Sequence, residues 1–106
     1  MKEIQAKFSI GDIVKHKYFN FRGVIYDVDF EFNNSEEWYR SIPKNVRPRK
    51  DQPFYHLLAE NNEITYEAYV SEQNLITDNS GEPVQHPLIN EIFSEKKGSA
   101  YYKRSN

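Results

Sequence analysis

With 106 residues and a 15% share of Phe, Trp and Tyr, the chain is sized for one domain with a modest core, built largely from strands. It has no cysteine, which excludes disulfides and thiol catalysis, and its net charge of −2 argues against strong non-specific binding to nucleic acid. No apolar run reaches the roughly 18 residues of a membrane span and the N-terminus lacks the apolar centre of a signal peptide, so a cytoplasmic location is expected.

In chain order, Gly11-Asp12 supplies a turn and Ile13-Val14 opens a strand. Residues 20–23, NFRG, read as a second turn. Residues 24–32, VIYDVDFEF, alternate with period two. Val24, Tyr26, Val28, Phe30 and Phe32 are predicted on one face, with Asp27, Asp29 and Glu31 on the other. A short helix is predicted at about 35–41. Asn34 is its expected cap, Glu37 completes a capping-box pattern, Trp38 and Ile42 share a face, and Pro43 marks the end. Residues 53–60, PFYHLLAE, are apolar on both faces and read as a central strand. ENNE at 60–63 is a tight turn, and 64–72 is the returning strand. QNLI at 73–76 is either one helical turn or a short final strand. The polar stretch from residue 94 onward is expected to fray. Four or five short strands with close turns predict a small all-β barrel, with a flexible basic tail at 94–106.

Motifs for chemistry are sparse. Asp27, Asp29 and Glu31 form an acidic ladder without the Gly-bearing loop of a calcium site, and read as a solvated strand face. His16, His56 and His86 are far apart, with no HxxxH pair for zinc, and His56 reads as a hydrogen-bonded structural residue. There is no GxSxG and no phosphate-cradling glycine loop. The chain therefore reads as non-enzymatic, with no cofactor and no metal.

The remaining feature is KNVRPRKDQPFYH, residues 44–56. Lys44, Arg47, Arg49 and Lys50 could hold phosphates, and Phe54 or Tyr55 could stack a base. A solvated loop and a protein-docking surface are the alternatives. Residues 1–60 hold ten basic against nine acidic residues, 61–95 hold seven acids and no Lys or Arg, and 96–106 hold four bases. An anionic ligand would therefore meet the first half or the tail. The many tyrosines also allow an aromatic cage for a cationic side chain.

Residues 8–32, FSIGDIVKHKYFNFRGVIYDVDFEF, then EEWYRSIP, RPRKDQPFYHLLAE and AYVSEQNL closely resemble the heat shock protein HspQ family, also called the YccV-like or hemimethylated DNA-binding family. The likeness spans roughly residues 6–93, and RPRKDQPFYHLLAE with SGEPVQHP resembles its alphaproteobacterial branch. The resemblance implies a five-stranded SH3-like barrel in the bacterial cytoplasm. It implies two roles. One is a specificity factor for the Lon protease that promotes degradation of denatured or selected proteins, including the replication initiator. The other is binding of hemimethylated DNA near the replication origin. Self-association, with a trimer as the expected form, is also implied.

Protein binding is the favoured activity, because a chain of net −2 with no groove-entering helix is poorly suited to duplex DNA. In the tail, Tyr101 and Tyr102 lie between basic residues and are candidate handles for the protease.

Overall fold

In the computed structural model, which describes residues 5–98 and 100–103, two antiparallel sheets carry the chain. The elements are β1 (Ile13–His16), β2 (Arg22–Asp29), α1 (Glu36–Ser41), β3 (Phe54–Glu60), β4 (Thr65–Ser71), β5 (Leu75–Thr77), α2 (Ile89–Ile92), β6 (Phe93–Lys97) and β7 (Ala100–Lys103). The first five strands form one sheet in the order β4-β3-β2-β1-β5, and β6 pairs with β7. A 3₁₀ turn at Glu72–Asn74 carries the chain from β4 to β5.

The predicted all-β class holds. The sheet is nevertheless open, where the sequence predicts a closed barrel. β5 has only three residues, paired with β1 from Val14↔Thr77 to His16↔Leu75. β4 leaves the sheet at Ser71, and no ladder joins it to β5 among the described residues.

β3 lies between β2 and β4, which explains its apolar character on both faces. On one face Tyr55, Leu57 and Ala59 pack with Phe8, Val14, Ile25 and Leu75. On the other, Leu58 joins Ile13 and Val24. That second face is covered by Val84, Ile89, Phe93 and Tyr101 from the C-terminal segment.

The expectation of a flexible tail from residue 94 is corrected here. Residues 93–97 and 100–103 form a hairpin, with Phe93 only 1% exposed and Tyr101 8%. The apolar second face of the sheet needs a cover, and these two rings supply it. Tyr101 donates its backbone N–H to the Gly11 carbonyl at 2.7 Å, anchoring β7 beside the start of β1. Residues 104–106 lie outside the described residues.

Two local readings also change. The strict alternation of 24–32 fails at a bulge between Ile25 and Asp27. Ile25 and Val28 pack in the first core cluster, whereas Val24 and Tyr26 pack in the second. The strand ends at Asp29, leaving Phe30 58% exposed. The helix forms within its predicted bounds, but Ser35 is the cap: its Oγ accepts from the Trp38 N–H at 3.0 Å. Asn34 instead accepts from the Ser35 N–H.

Candidate recognition surfaces

The basic loop largely serves its own chain. Arg47 donates to the carbonyls of Arg40 and Ile42, closing the C-terminal end of α1, and stacks over the Tyr39 ring. Arg49 pairs with Asp51 at 2.9 Å. Lys50 pairs with Glu36 at 2.5 Å, and this lysine holds the Glu36 carboxyl below its ordinary range. Lys44 is exposed, with no ion-pair partner among the described residues. Three of the four charges therefore have partners within the chain. The rings that follow point elsewhere, since Phe54 and Tyr55 are both fully buried.

An aromatic cluster does exist where α1 meets β3 and β4. Phe32 lies 5.9 Å from Trp38 and 5.3 Å from Phe54, and Tyr69 stacks on Phe54 at 5.2 Å. Its cation is internal. The Lys50 ammonium sits 4.5 Å from the Tyr39 ring centre and 5.4 Å from that of Phe32. This arrangement fills the place that the cage reading assigned to a ligand.

The β2 bulge gathers Asp27, Asp29 and His56, whose ligand-type atoms all lie within 4.8 Å of one another. The sequence placed the two acids on one face but did not bring His56 to them. Internal partners already engage these groups. Asp29 Oδ2 lies 2.9 Å from both His56 Nε2 and the Tyr69 hydroxyl. Asp27 Oδ1 accepts from the Val28 N–H. Burial, first, and then the bond to Asp29 push the Tyr69 hydroxyl pKa upward, keeping it a donor.

The surface that the sequence reading missed is the tip of the β1–β2 hairpin. The chain reverses at residues 17–20, inside the stretch KHKYFN, and leaves Tyr18 76% and Phe19 66% exposed. His16 holds this turn. Its Nδ1 accepts from the backbone N–H groups of Tyr18 at 3.0 Å and Phe19 at 3.1 Å. Its ring lies 4.6 Å from Phe19 and 5.1 Å from Phe21. Burial lowers the His16 pKa, which favours the neutral ring that these two bonds require.

Beside the tip is an open cleft of about 400 Å³, between the β1–β2 turn and the β3–β4 turn. Arg22, on its wall, bonds Asp78 at 2.6 Å, Glu60 at 2.9 Å and the carbonyls of Glu82 and Pro83. Burial pushes the Asp78 carboxyl upward, but bonds from Ser80 and Arg22 outweigh it and leave the pKa lowered. Lys15 and Lys17 also line the cleft, without an ion-pair partner among the described residues. The available signal was two adjacent aromatics, preceded by two lysines, at the point where a hairpin must reverse.

In the tail, Tyr101 and Tyr102 separate. Tyr101 is buried against Phe93, and its hydroxyl accepts from the Val84 N–H at 3.0 Å. Tyr102 is half exposed beneath Lys97.

These features define a small antiparallel β domain with both sheet faces covered and an aromatic–basic tip left open. The chain belongs to the YccV-like family, described as hemimethylated DNA-binding protein YccV like, whose family model matches residues 6–100. That match runs past the predicted boundary at residue 93 into the C-terminal hairpin. Among characterised relatives, F-box only protein 21 of Homo sapiens is 34% identical over 95 residues, covering 89% of this chain and 15% of that protein. The Mus musculus counterpart is 33% identical with the same coverage. The chain thus spans about 15% of the length of these relatives. No solved structure is a significant match.

Proposed function

We propose that this domain is a non-enzymatic recognition module of the bacterial cytoplasm, acting as a specificity factor for the Lon protease. In this reading it promotes degradation of denatured or selected proteins, the replication initiator among them. The reading takes its protease from the HspQ resemblance. Its structural support is one observation: Tyr18 and Phe19 stand exposed on a turn held from beneath by His16. Exposed aromatics on a fixed turn suit protein contact. The SH3-like kinship of the fold belongs to the same proposal, supported by the strand order and the 3₁₀ turn before β5. A self-associated form, a trimer, belongs there too. Tyr102, the exposed member of its pair, is the tail residue available to the protease.

The test is proteolysis of a purified client by purified Lon. Faster degradation with the wild-type chain, and weaker stimulation by the Tyr18→Ser/Phe19→Ser double variant, are expected. No stimulation by the wild-type chain overturns the reading. Substituting Tyr102→Ala in the same assay tests the tail.

A second reading is DNA recognition, favoured by the description of the family itself. Lys15, Lys17 and Lys44 have no ion-pair partner among the described residues, whereas Arg47, Arg49 and Lys50 have partners within the chain. Gel shifts with hemimethylated, fully methylated and unmethylated duplexes at two salt concentrations test it. Equal, salt-fragile binding to all three leaves only non-specific electrostatics.

A further inference from the structure

We infer that the β1–β2 tip and its adjoining cleft bind an extended acidic peptide segment carrying apolar side chains. This deepens the proposal that the domain recognises proteins and rests on it.

Three observations carry the inference. First, the two exposed rings are fixed by folding. His16 Nδ1 ties down both of their backbone N–H groups, and the Lys17 N–H donates to the Asn74 carbonyl at 2.9 Å. A surface already ordered before contact loses little conformational freedom on binding. Second, the cleft is amphipathic. Phe19 and Ile76 offer apolar contact, while Lys15 and Lys17 offer charge. On the same wall Arg22 bonds both Glu60 and Asp78, and with Lys15 and Lys17 the lining holds three bases against two acids, a small positive excess. Third, the occupant is constrained by size and charge. A cleft of about 400 Å³ has room for one or two apolar side chains. Its two free lysines match a pair of carboxylates.

The same count disfavours a duplex at this site. Duplex binders typically neutralise about 6–10 phosphates, each steepening the salt dependence, and two lysines supply little of that. No α-helix of the described residues borders the tip, so none there is placed to enter a duplex groove. A peptide with carboxylates spaced two apart, alternating with Leu or Ile, meets both requirements, because an extended chain sends alternate side chains to opposite faces.

The experiment measures fluorescence anisotropy of the full chain with labelled peptides. One alternates Glu and Leu, one replaces Glu with Lys, and one replaces Leu with Ser. A labelled DNA duplex is run in parallel. Preferential binding of the Glu–Leu peptide is expected. Tyr18→Ser/Phe19→Ser should weaken it at least tenfold, and Lys15→Glu/Lys17→Glu several-fold, with unchanged circular dichroism in each case. Phe30→Ser, exposed away from the tip, should leave it unchanged. Equal binding of all three peptides overturns the inference, as does insensitivity to the tip variants. Duplex binding that tip variants abolish, without peptide binding, also overturns it in favour of DNA. Lon stimulation that needs the tip while the Glu–Leu peptide fails to bind removes this inference and leaves the adaptor reading standing. Tip-dependent peptide binding without stimulation does the reverse.

Discussion

The backbone N–H of Tyr101 meets the carbonyl of Gly11 at 2.7 Å, and a side chain at Gly11 would meet Tyr101 in turn. Gly11 has φ of +97°, and a Cβ built there would lie 2.0 Å from the Tyr101 carbonyl oxygen. Glycine is thus required twice, by backbone conformation and by contact. Gly11→Ala is expected to destabilise the domain by about 2–4 kcal/mol, combining strain with loss of the β7 anchor. Urea unfolding measures the loss. Hydrogen exchange should rise first in residues 93–103.

Tyr101→Phe isolates one bond of the same contact. The variant keeps the ring against Phe93 and leaves the Val84 N–H without its acceptor. A loss of about 1–3 kcal/mol is expected for that buried donor. A loss equal to that of Tyr101→Ala in the same unfolding assay would show that the hydroxyl carries the whole effect.

The Arg22–Asp78 pair gives a pH dependence. Asp78 has a folded pKa below its unfolded value of 3.8. Its contribution to stability is therefore present above about pH 4 and is lost as pH falls through the folded value. Arg22→Leu should cost about 2–3 kcal/mol at neutral pH, because a largely buried carboxylate loses its main cation. It should also flatten the acid limb of a stability-versus-pH curve measured by thermal unfolding.

His16 acts on a different pH range. Burial lowers its folded pKa below 6.5, so the unfolded state takes up the proton first as pH falls. Stability contributed by the neutral ring is present above about pH 6.5 and declines below it. Amide resonances of Tyr18 and Phe19 in the folded state should shift only at lower pH, as the folded ring itself takes up a proton and their shared acceptor is lost. In His16→Ala the two resonances should already show the loosened state at pH 8.

Within the basic loop, internal partners predict unequal effects. Arg47→Ala should cost about 1–2 kcal/mol, because the last carbonyls of α1 lose their donor. Arg49→Ala, at an exposed pair, should stay within about 0.5 kcal/mol. Helical circular dichroism and urea midpoints distinguish the two.

The strands and the helix were legible because their signals are local. The apolar run PFYHLLAE needs cover on both sides, and Pro43 marks the end of the helix, although the cap is Ser35 and not the expected Asn34. The bulge was not legible, because Val24 to Phe32 alternates well enough to satisfy an unbroken strand. Only pairing with His56 shows the extra residue. The tail misled for a related reason. Tyr101 is a single ring among polar neighbours, and its burial depends on Gly11 and Val84, far away in sequence. The internal partners of Arg47, Arg49 and Lys50 were not legible, because composition counts charges but not what they pair with. The tip was passed over because KHKYFN reads first as the end of a strand.

A sheet with helix and hairpin residues laid over one side and Phe8 over the other has only its rim left for company. Under the proposed reading, recognition and folding fall on separate residues: Tyr18 and Phe19 are exposed, whereas Leu57 and Leu58 are fully buried. On that reading, substitutions in one turn respecify the domain while its core carries no memory of what it binds.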